Sequence, residues 1–330
     1  MDVPETDPDP YLDVSVLDEV ERDMDTVNRI FLAFSSALFG LGTLLNAWFL
    51  LAVMTSQPHR TRLRSQLFCN LCVVHFGVSM IKSPVMVFFS KLLLDAAYWS
   101  TMCDSLSLTV PLEMVYSFIL DWLLVFTITV YLANVLDFDP TRTLGPRVVN
   151  AGKVFINILP WVASPALFPL LRDLFPAQDW CIKQVSSNRQ KFALVNLMAP
   201  SVVCIVTVSV AFVLYCRRIN RTSDSGSMWD RIFRHGGEMD SPLPYAVAIG
   251  INAACEGAFI FCVFKLALGS TVRMTVMTSS SCVSASRAVL VLLPWILLPD
   301  VRERVGTWRP WDSSQEAGTE QFDMDSSDRD

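Results

Sequence analysis

The chain has 330 residues, of which 52% are hydrophobic and 18% are charged, and its formal net charge is −6. Because soluble domains carry roughly 25% charged residues, this composition excludes an ordinary soluble protein and favours a membrane protein. The three histidines, His59, His75 and His235, form no nucleophile or metal constellation, so we predict no enzyme and no cofactor. We also expect no nucleic-acid partner.

Residues 1–27 are acidic and poor in large apolar side chains, which predicts a solvated tail. A helix that spans a bilayer needs about 20 mostly apolar residues. Seven windows meet or approach this length, at 30–54, 66–90, 105–136, 149–171, 192–216, 243–268 and 274–298. Lipid offers no hydrogen-bond partners to the backbone, so we predict an all-α bundle of seven transmembrane helices over residues 28–299.

Residues 300–309 follow the last window and contain "DVRERVGTW", in which Val301, Val305 and Trp308 lie on one helical stripe. This pattern predicts a short amphipathic eighth helix on the membrane surface, although Trp and Arg would also suit a plain interfacial anchor. Residues 310–330 are acidic and rich in serine, which predicts a disordered cytoplasmic tail.

The orientation follows from the basic residues of the short loops, which are enriched on the cytoplasmic side. With the N-terminus outside, the inner loops contain "RTR" at 60–62, "RRINR" at 217–221 and "VRER" at 301–304. We therefore expect a multi-pass plasma-membrane protein with an extracellular N-terminus. The one N-x-S/T acceptor noted, at Asn220, would then face the cytosol and remain unmodified.

Several motifs in order resemble the rhodopsin-like (class A) G-protein-coupled receptors over about residues 28–308. They are "GTLLNAWFLLAV" with Asn46, "NLCVVHF" with His75 followed by "KSPVMV" with Pro84, "WSTMC", "WVASPALFPLL" with Trp161, "DWCIKQ", "LMAPSVV" with Pro200, and "LLPWILLPDVRERV" with Pro294. The resemblance implies a ligand cavity that opens to the outside where prolines kink the helices.

The resemblance also implies a disulfide between Cys103 and Cys181. Both residues fall on the oxidising side under this topology, where a bridge is the expected state. Two free cysteines at the membrane edge are the alternative.

The chain departs from the family at the positions of its signalling machinery. The segment that aligns with Asp-Arg-Tyr reads Leu132, Ala133 and Asn134, and the register of this third helix is uncertain by about five residues. Glu256 stands in place of the helix-six Trp, and NPxxY loses its Asn and Tyr to Leu293 and Leu297. Coupling to a G protein through the usual switch is therefore in doubt.

Buried charges are costly in a bilayer and mark function when they occur. The family's sodium-binding Asp is replaced by His75, and we expect His75 to pair with Asp121, with a neutral His75 bonded to Ser or to a carbonyl as the alternative. Glu256 and Arg287 fall at similar depth on neighbouring helices, so we expect them to pair.

Lys82, Glu113 and Lys265 fall in the outer thirds of their helices, where they would line a ligand cavity, or where the lysines would reach the headgroups instead. The position at which amine receptors carry an Asp is Val110, which disfavours a monoamine. We therefore expect an unknown peptide or a small non-amine ligand.

The sequence leaves three functional hypotheses open. The first is a receptor that signals to a heterotrimeric G protein or arrestin. The second is a seven-helix scaffold or heteromer partner without coupling. The third, an inverted chemoreceptor channel, requires an intracellular N-terminus and would be favoured by glycosylation at Asn220.

Overall fold

A computed structural model describes residues 14–55, 62–85, 87–88, 99–138, 144–172, 187–221, 241–267 and 274–307 of the chain. Within these ranges the fold is all-helical, without a strand. The helices are α1 (Val14–Met54), α2 (Leu63–Gly77), α3 (Trp99–Val135), α4 (Pro146–Arg172), α5 (Ser187–Arg221), α6 (Leu243–Ala267), α7 (Met274–Ala285), α8 (Arg287–Leu290) and α9 (Pro299–Thr307). A π-helical turn (Val78–Lys82) follows α2, and a 3-10 helix (Leu293–Leu297) follows α8.

Helices are present in each of the seven predicted windows where the structure describes them, with bounds that differ from the predicted ones, and five segments are long and apolar enough to cross a membrane. These five are Arg29–Met54, Leu63–Val85, Val115–Val135, Met198–Arg218 and Leu243–Cys262. The seventh window is interrupted at Ser286, and the apolar helix recognised there, Cys282–Leu297, is shorter. The all-helical architecture and the apolar helices agree with a membrane protein, and the count of seven spans stays a prediction.

Helix α1 begins at Val14, inside the segment predicted to be a solvated tail up to residue 27. The Nε of Arg29 lies 2.8 Å from Oδ2 of Asp25, one helical turn earlier. Such i,i+4 pairs stabilise an exposed helix by about 0.3 kcal/mol. The acidic residues at this end therefore belong in part to the helix, and the tail boundary at residue 27 stays a prediction.

Helix α3 is central and packs against α2, α4 and α5. Helix α6 lies between α5 and α7, while α1 contacts α2, α7 and α8. Close approach of α1 to the π-helical turn depends on Gly42, because a Cβ there would collide with the side chain of Ser79. Helix α9 returns against α1, where Trp48 Nε1 donates to the carbonyl of Val305 at 3.4 Å.

The predicted amphipathic helix at 300–309 is present as α9. Val301 and Val305 pack against the hydrophobic core, so its apolar stripe contacts the bundle. Trp308 lies outside the described residues.

One end of the bundle is filled by rings from five helical segments, which we call the aromatic chain. Its members are Phe49 of α1, Phe68 of α2, Trp295 of the 3-10 helix, Tyr245 of α6 and Tyr131 of α3. Successive ring centroids lie 5.9, 5.7, 5.2 and 4.3 Å apart. Under the predicted topology this is the cytoplasmic end, so the core there is closed by aromatic packing.

The C-terminus of α3 is tied to α5 at the same end. Asp137 has a φ of 54°, and the N–H of Phe138 donates to the carbonyl of Ala133 at 2.9 Å, as in a helix-ending Schellman motif. Arg218 donates to the carbonyl of Val135 at 2.8 Å and lies 2.6 Å from Oδ2 of Asp137. The arginine thereby joins the ends of α3 and α5.

Candidate functional site

Four ionisable side chains meet in the interior of the bundle, and we call them the charge cluster. They are Lys82 of the π-helical turn, Asp121 of α3, Glu256 of α6 and Arg287 of α8, with relative exposures of 3%, 1%, 0% and 5%. π-Helical turns occur frequently at functional sites. Buried charges in an apolar helical bundle are functional candidates because they are costly unless they are paired.

Arg287 occupies the centre of the charge cluster, immediately after the break between α7 and α8 at Ser286. Its Nη1 lies 3.6 Å from Oε1 of Glu256, so the structure brings together the predicted pair. Nη2 donates to Ser117 Oγ at 2.7 Å and to Ser284 Oγ at 3.0 Å, and Nε donates to the carbonyl of Ser284 at 3.0 Å. These bonds fix the guanidinium against α3 and α7.

Glu256 stands where the family resemblance would place a tryptophan, and its side chain is fully buried. Besides Arg287, it contacts α5, since Ser201 Oγ donates to Oε2 at 3.0 Å. Ser201 follows Pro200, a buried proline inside α5. Glu256 therefore links α6 to both α5 and α8.

Asp121 is bonded to α6 through an amide that the sequence reasoning missed. Asn252 Nδ2 donates to Oδ1 of Asp121 at 2.8 Å. The Asp121 carboxyl also interacts electrostatically with Glu256 and Arg287. Asn252 and Glu256 are four residues apart and thus share a face of α6, a spacing that could have identified Asn252 as part of the site.

The predicted pair between His75 and Asp121 is wrong in this structure. His75 is buried, but within the described chain its Nε2 has no hydrogen-bond partner, and its charged neighbour is Arg287. The physical reason is that α6 supplies Asn252, which donates to Asp121 in place of the imidazole. The alternative bond from His75 to a serine or carbonyl is not shown either.

Of the four residues predicted to line a ligand cavity, the structure describes the side chains of two, Lys82 and Lys265. Lys82 is buried and interacts electrostatically with Arg287 and Cys282, which argues against a position at the headgroups. Its place in a ligand cavity stays a prediction. Lys265 is exposed, and its Nζ lies 5.7 Å from the ring centroid of Phe261, itself exposed. The side chains of Val110 and Glu113 lie outside the described residues.

Asn46 connects α1 to α8. Its Nδ2 donates to the carbonyl of Gly42 at 2.6 Å and to the carbonyl of Ala288, next to Arg287, at 2.9 Å. Asn46 therefore supports the backbone of the segment that positions the central guanidinium.

The remaining landmarks are structural. Pro294 is buried at the start of the 3-10 helix, Trp161 packs against the core from α4, and Pro84 is half-buried just after the π-helical turn. The predicted disulfide falls on Cys181, which lies outside the described residues, and on Cys103, of which only the backbone is described. The disulfide thus stays a prediction.

Where the structure describes the chain, no group of three or more His, Cys, Asp or Glu residues is placed to hold a metal ion. The charge cluster instead sets two acids against two bases across the interfaces of separate helices. No protein-family model matches the sequence, and no curated protein matches it significantly.

Proposed function

We propose that the chain is a cell-surface receptor of seven membrane-spanning helices, similar to the rhodopsin-like receptors. It binds an extracellular peptide or a small non-amine molecule and signals to a cytoplasmic heterotrimeric G protein or arrestin. The observation that carries this proposal is the charge cluster, which connects α3, α6 and α8 by buried polar contacts.

The charge cluster suits a conformational switch because its contacts cross helix boundaries. If α6 moved away from α8, Glu256 and Arg287 would separate in a medium of low dielectric constant, and each would lose its charged partner. A ligand shifts such an equilibrium only by its difference in affinity for the two states. A molecule that favours the separated state would therefore transmit its binding to the opposite end of α6.

The order of helix contacts supports the proposal. Helix α3 lies between α2, α4 and α5, and α1 packs against α7 and α8 at the closing side of the bundle. An arrangement with α3 at the centre and the first helix packed against the last is the one that the proposal requires.

A scaffold or heteromer partner that does not couple to transducers is the second candidate, and the aromatic chain favours it. Tyr131 and Tyr245 stack with centroids 4.3 Å apart between α3 and α6, at the end where a transducer would enter. Ala133 stands where the family carries the arginine of its third helix. The rings pack tightly and this arginine is missing, and both features oppose the opening of the bundle at the end where a transducer would enter.

Basal signalling distinguishes the two candidates without knowledge of the ligand. We expect Glu256→Gln, which weakens the pair with Arg287, to raise basal second-messenger production or arrestin recruitment per receptor at the cell surface. Asp25→Asn is the matched control because Asp25 lies at the opposite end of the bundle, with 41% of its side chain exposed. Unchanged signals from Glu256→Gln and from Ala133→Arg, at normal surface levels, would favour the scaffold.

The topology is tested separately with an epitope added before residue 1 in intact cells. The receptor requires antibody access without permeabilisation. Access only after permeabilisation would contradict the proposal and favour the inverted channel.

A further inference from the structure

The carboxyl groups of Asp121 and Glu256 lie together in the interior, and each is half satisfied. Asn252 donates to Oδ1 of Asp121 at 2.8 Å, and Ser201 donates to Oε2 of Glu256 at 3.0 Å. Within the described residues, Oδ2 of Asp121 and Oε1 of Glu256 accept no hydrogen bond. The oxygen Oδ1 of Asn252, a residue that is 4% exposed, is likewise without a donor there.

One guanidinium acts on both of these acids. Arg287 lies 3.6 Å from Glu256, and it also interacts electrostatically with Asp121. The guanidinium also donates to Ser117 and Ser284. Two carboxylates that share one site cannot both ionise readily when they are removed from water.

We propose that Asp121 and Glu256 form a proton-binding site, in which one proton is carried by Oδ2 of Asp121 and donated to the carboxylate of Glu256. Glu256 keeps the negative charge because it has the ion pair with Arg287. Asp121 takes the proton because its bonded partner is a neutral amide. The inference is independent of whether the chain signals.

Other titratable groups lie near the acid pair or near Arg287. Cys204 of α5 is the titratable group that faces both acids, and its Sγ donates to the backbone carbonyl of Asp121 at 3.9 Å. From α2 and the π-helical turn, His75 and Lys82 act on Arg287.

The remaining elements around α3 and α6 complete this environment. Cys282 of α7 interacts with Lys82. The side chains of α4 that contact the core, Ile156 and Trp161, are not ionisable. Arg287 is therefore the cation that the structure shows acting on both acids.

The site predicts the direction of a pH effect. Near neutral pH the folded state holds one proton that the unfolded chain has released. The contribution of this proton to the free energy of unfolding is therefore fully present at acidic pH and is lost as the pH rises through the titration of the pair. For one proton, the folding equilibrium constant falls by up to about tenfold per pH unit between the titration of an exposed aspartate and that of the pair, and it levels off above the latter. The new charge on Asp121 would repel Glu256 and loosen α3 from α6.

The test uses the full chain purified in lipid nanodiscs. Infrared spectroscopy near neutral pH should show the C=O band of a protonated, buried carboxylic acid, which shifts on labelling with ¹³C-aspartate. The thermal unfolding temperature should fall as the pH is raised. Asp121→Asn imitates the protonated acid, because its amide can donate to Glu256, and should remove both the band and the pH dependence.

Asp137→Asn serves as the control, because this exposed acid should leave both readouts unchanged. The infrared measurement on the natural chain does not depend on any variant folding. A spectrum without a protonated aspartate band overturns the proposal. A pH-independent unfolding temperature that rises with sodium concentration also overturns it, and would indicate a bound cation between the acids.

Discussion

The charge cluster and the aromatic chain both connect α3 to α6, but by opposite means. The aromatic chain joins α1, α2, α3, α6 and the 3-10 helix through ring contacts of 4.3 to 5.9 Å. The charge cluster joins α3, α6 and α8 through groups that are costly to bury unless they are paired. From this difference we expect the stability of the aromatic chain to depend on packing, and that of the charge cluster to depend on the pairing of each charged group.

The largest loss is expected when the central cation is removed. Arg287→Ala leaves the Glu256 carboxylate buried without its charged partner, which should reduce the free energy of unfolding by about 4 kcal/mol. Thermal unfolding in nanodiscs measures the loss. Arg302→Ala, at an exposed position on α9, is the matched control, and an equal effect from both variants would contradict the importance of the pair.

A slightly smaller loss is expected in the aromatic chain. Trp295→Ala removes ring contacts to Phe68 and Tyr245, which should cost about 3 kcal/mol without changing the response to pH. Leu297→Ala, at a position that is 38% exposed in the same 3-10 helix, should have little effect. If Trp295→Ala altered the pH dependence, the two regions would not be separable.

Asn46 tests the support behind the charge cluster. Asn46→Ala deletes the hydrogen bonds to the carbonyls of Gly42 and Ala288, and we expect a loss of about 1 kcal/mol in the free energy of unfolding. Asn134→Ala, at an exposed position of α3, provides the comparison. Indistinguishable unfolding temperatures for the two variants would contradict a supporting role for Asn46.

The smallest effect is expected at the end of α3. Asp137→Gly loses an exposed ion pair with Arg218, worth about 0.5 kcal/mol, but relieves a positive φ. Its unfolding temperature should lie close to that of the natural chain. Asp137→Ala loses the pair without this relief, so it should be the less stable of the two, and the reverse order would refute the conformational explanation.

The helices could be predicted from the sequence because apolar runs of membrane length are a strong local signal. The residue at which a helix begins was less predictable. Helix α1, for example, begins at Val14 in an acidic segment. The hydropathy pattern gave no indication of the interruption at Ser286, because the apolar window at 274–298 continues through that position.

Within the site, the prediction succeeded where it used opposite charges at similar depth. It failed where the partner of a side chain depends on how the helices pack. Glu256 and Arg287 do lie together. His75 was assigned to Asp121 from alignment with a family, whereas the structure supplies Asn252 from another helix. An amide gives no charge signal in the sequence, so its selection over the imidazole could not be inferred from residue types alone.

The central claim is that the ion pair between Glu256 and Arg287 holds α6 against α8. The most direct test is charge exchange, with cell-surface expression measured for Glu256→Arg, Arg287→Glu and the double variant. The account predicts that each single reversal reduces surface expression sharply and that the double exchange restores it. A double variant that is no better expressed than the poorer single variant would contradict the claim.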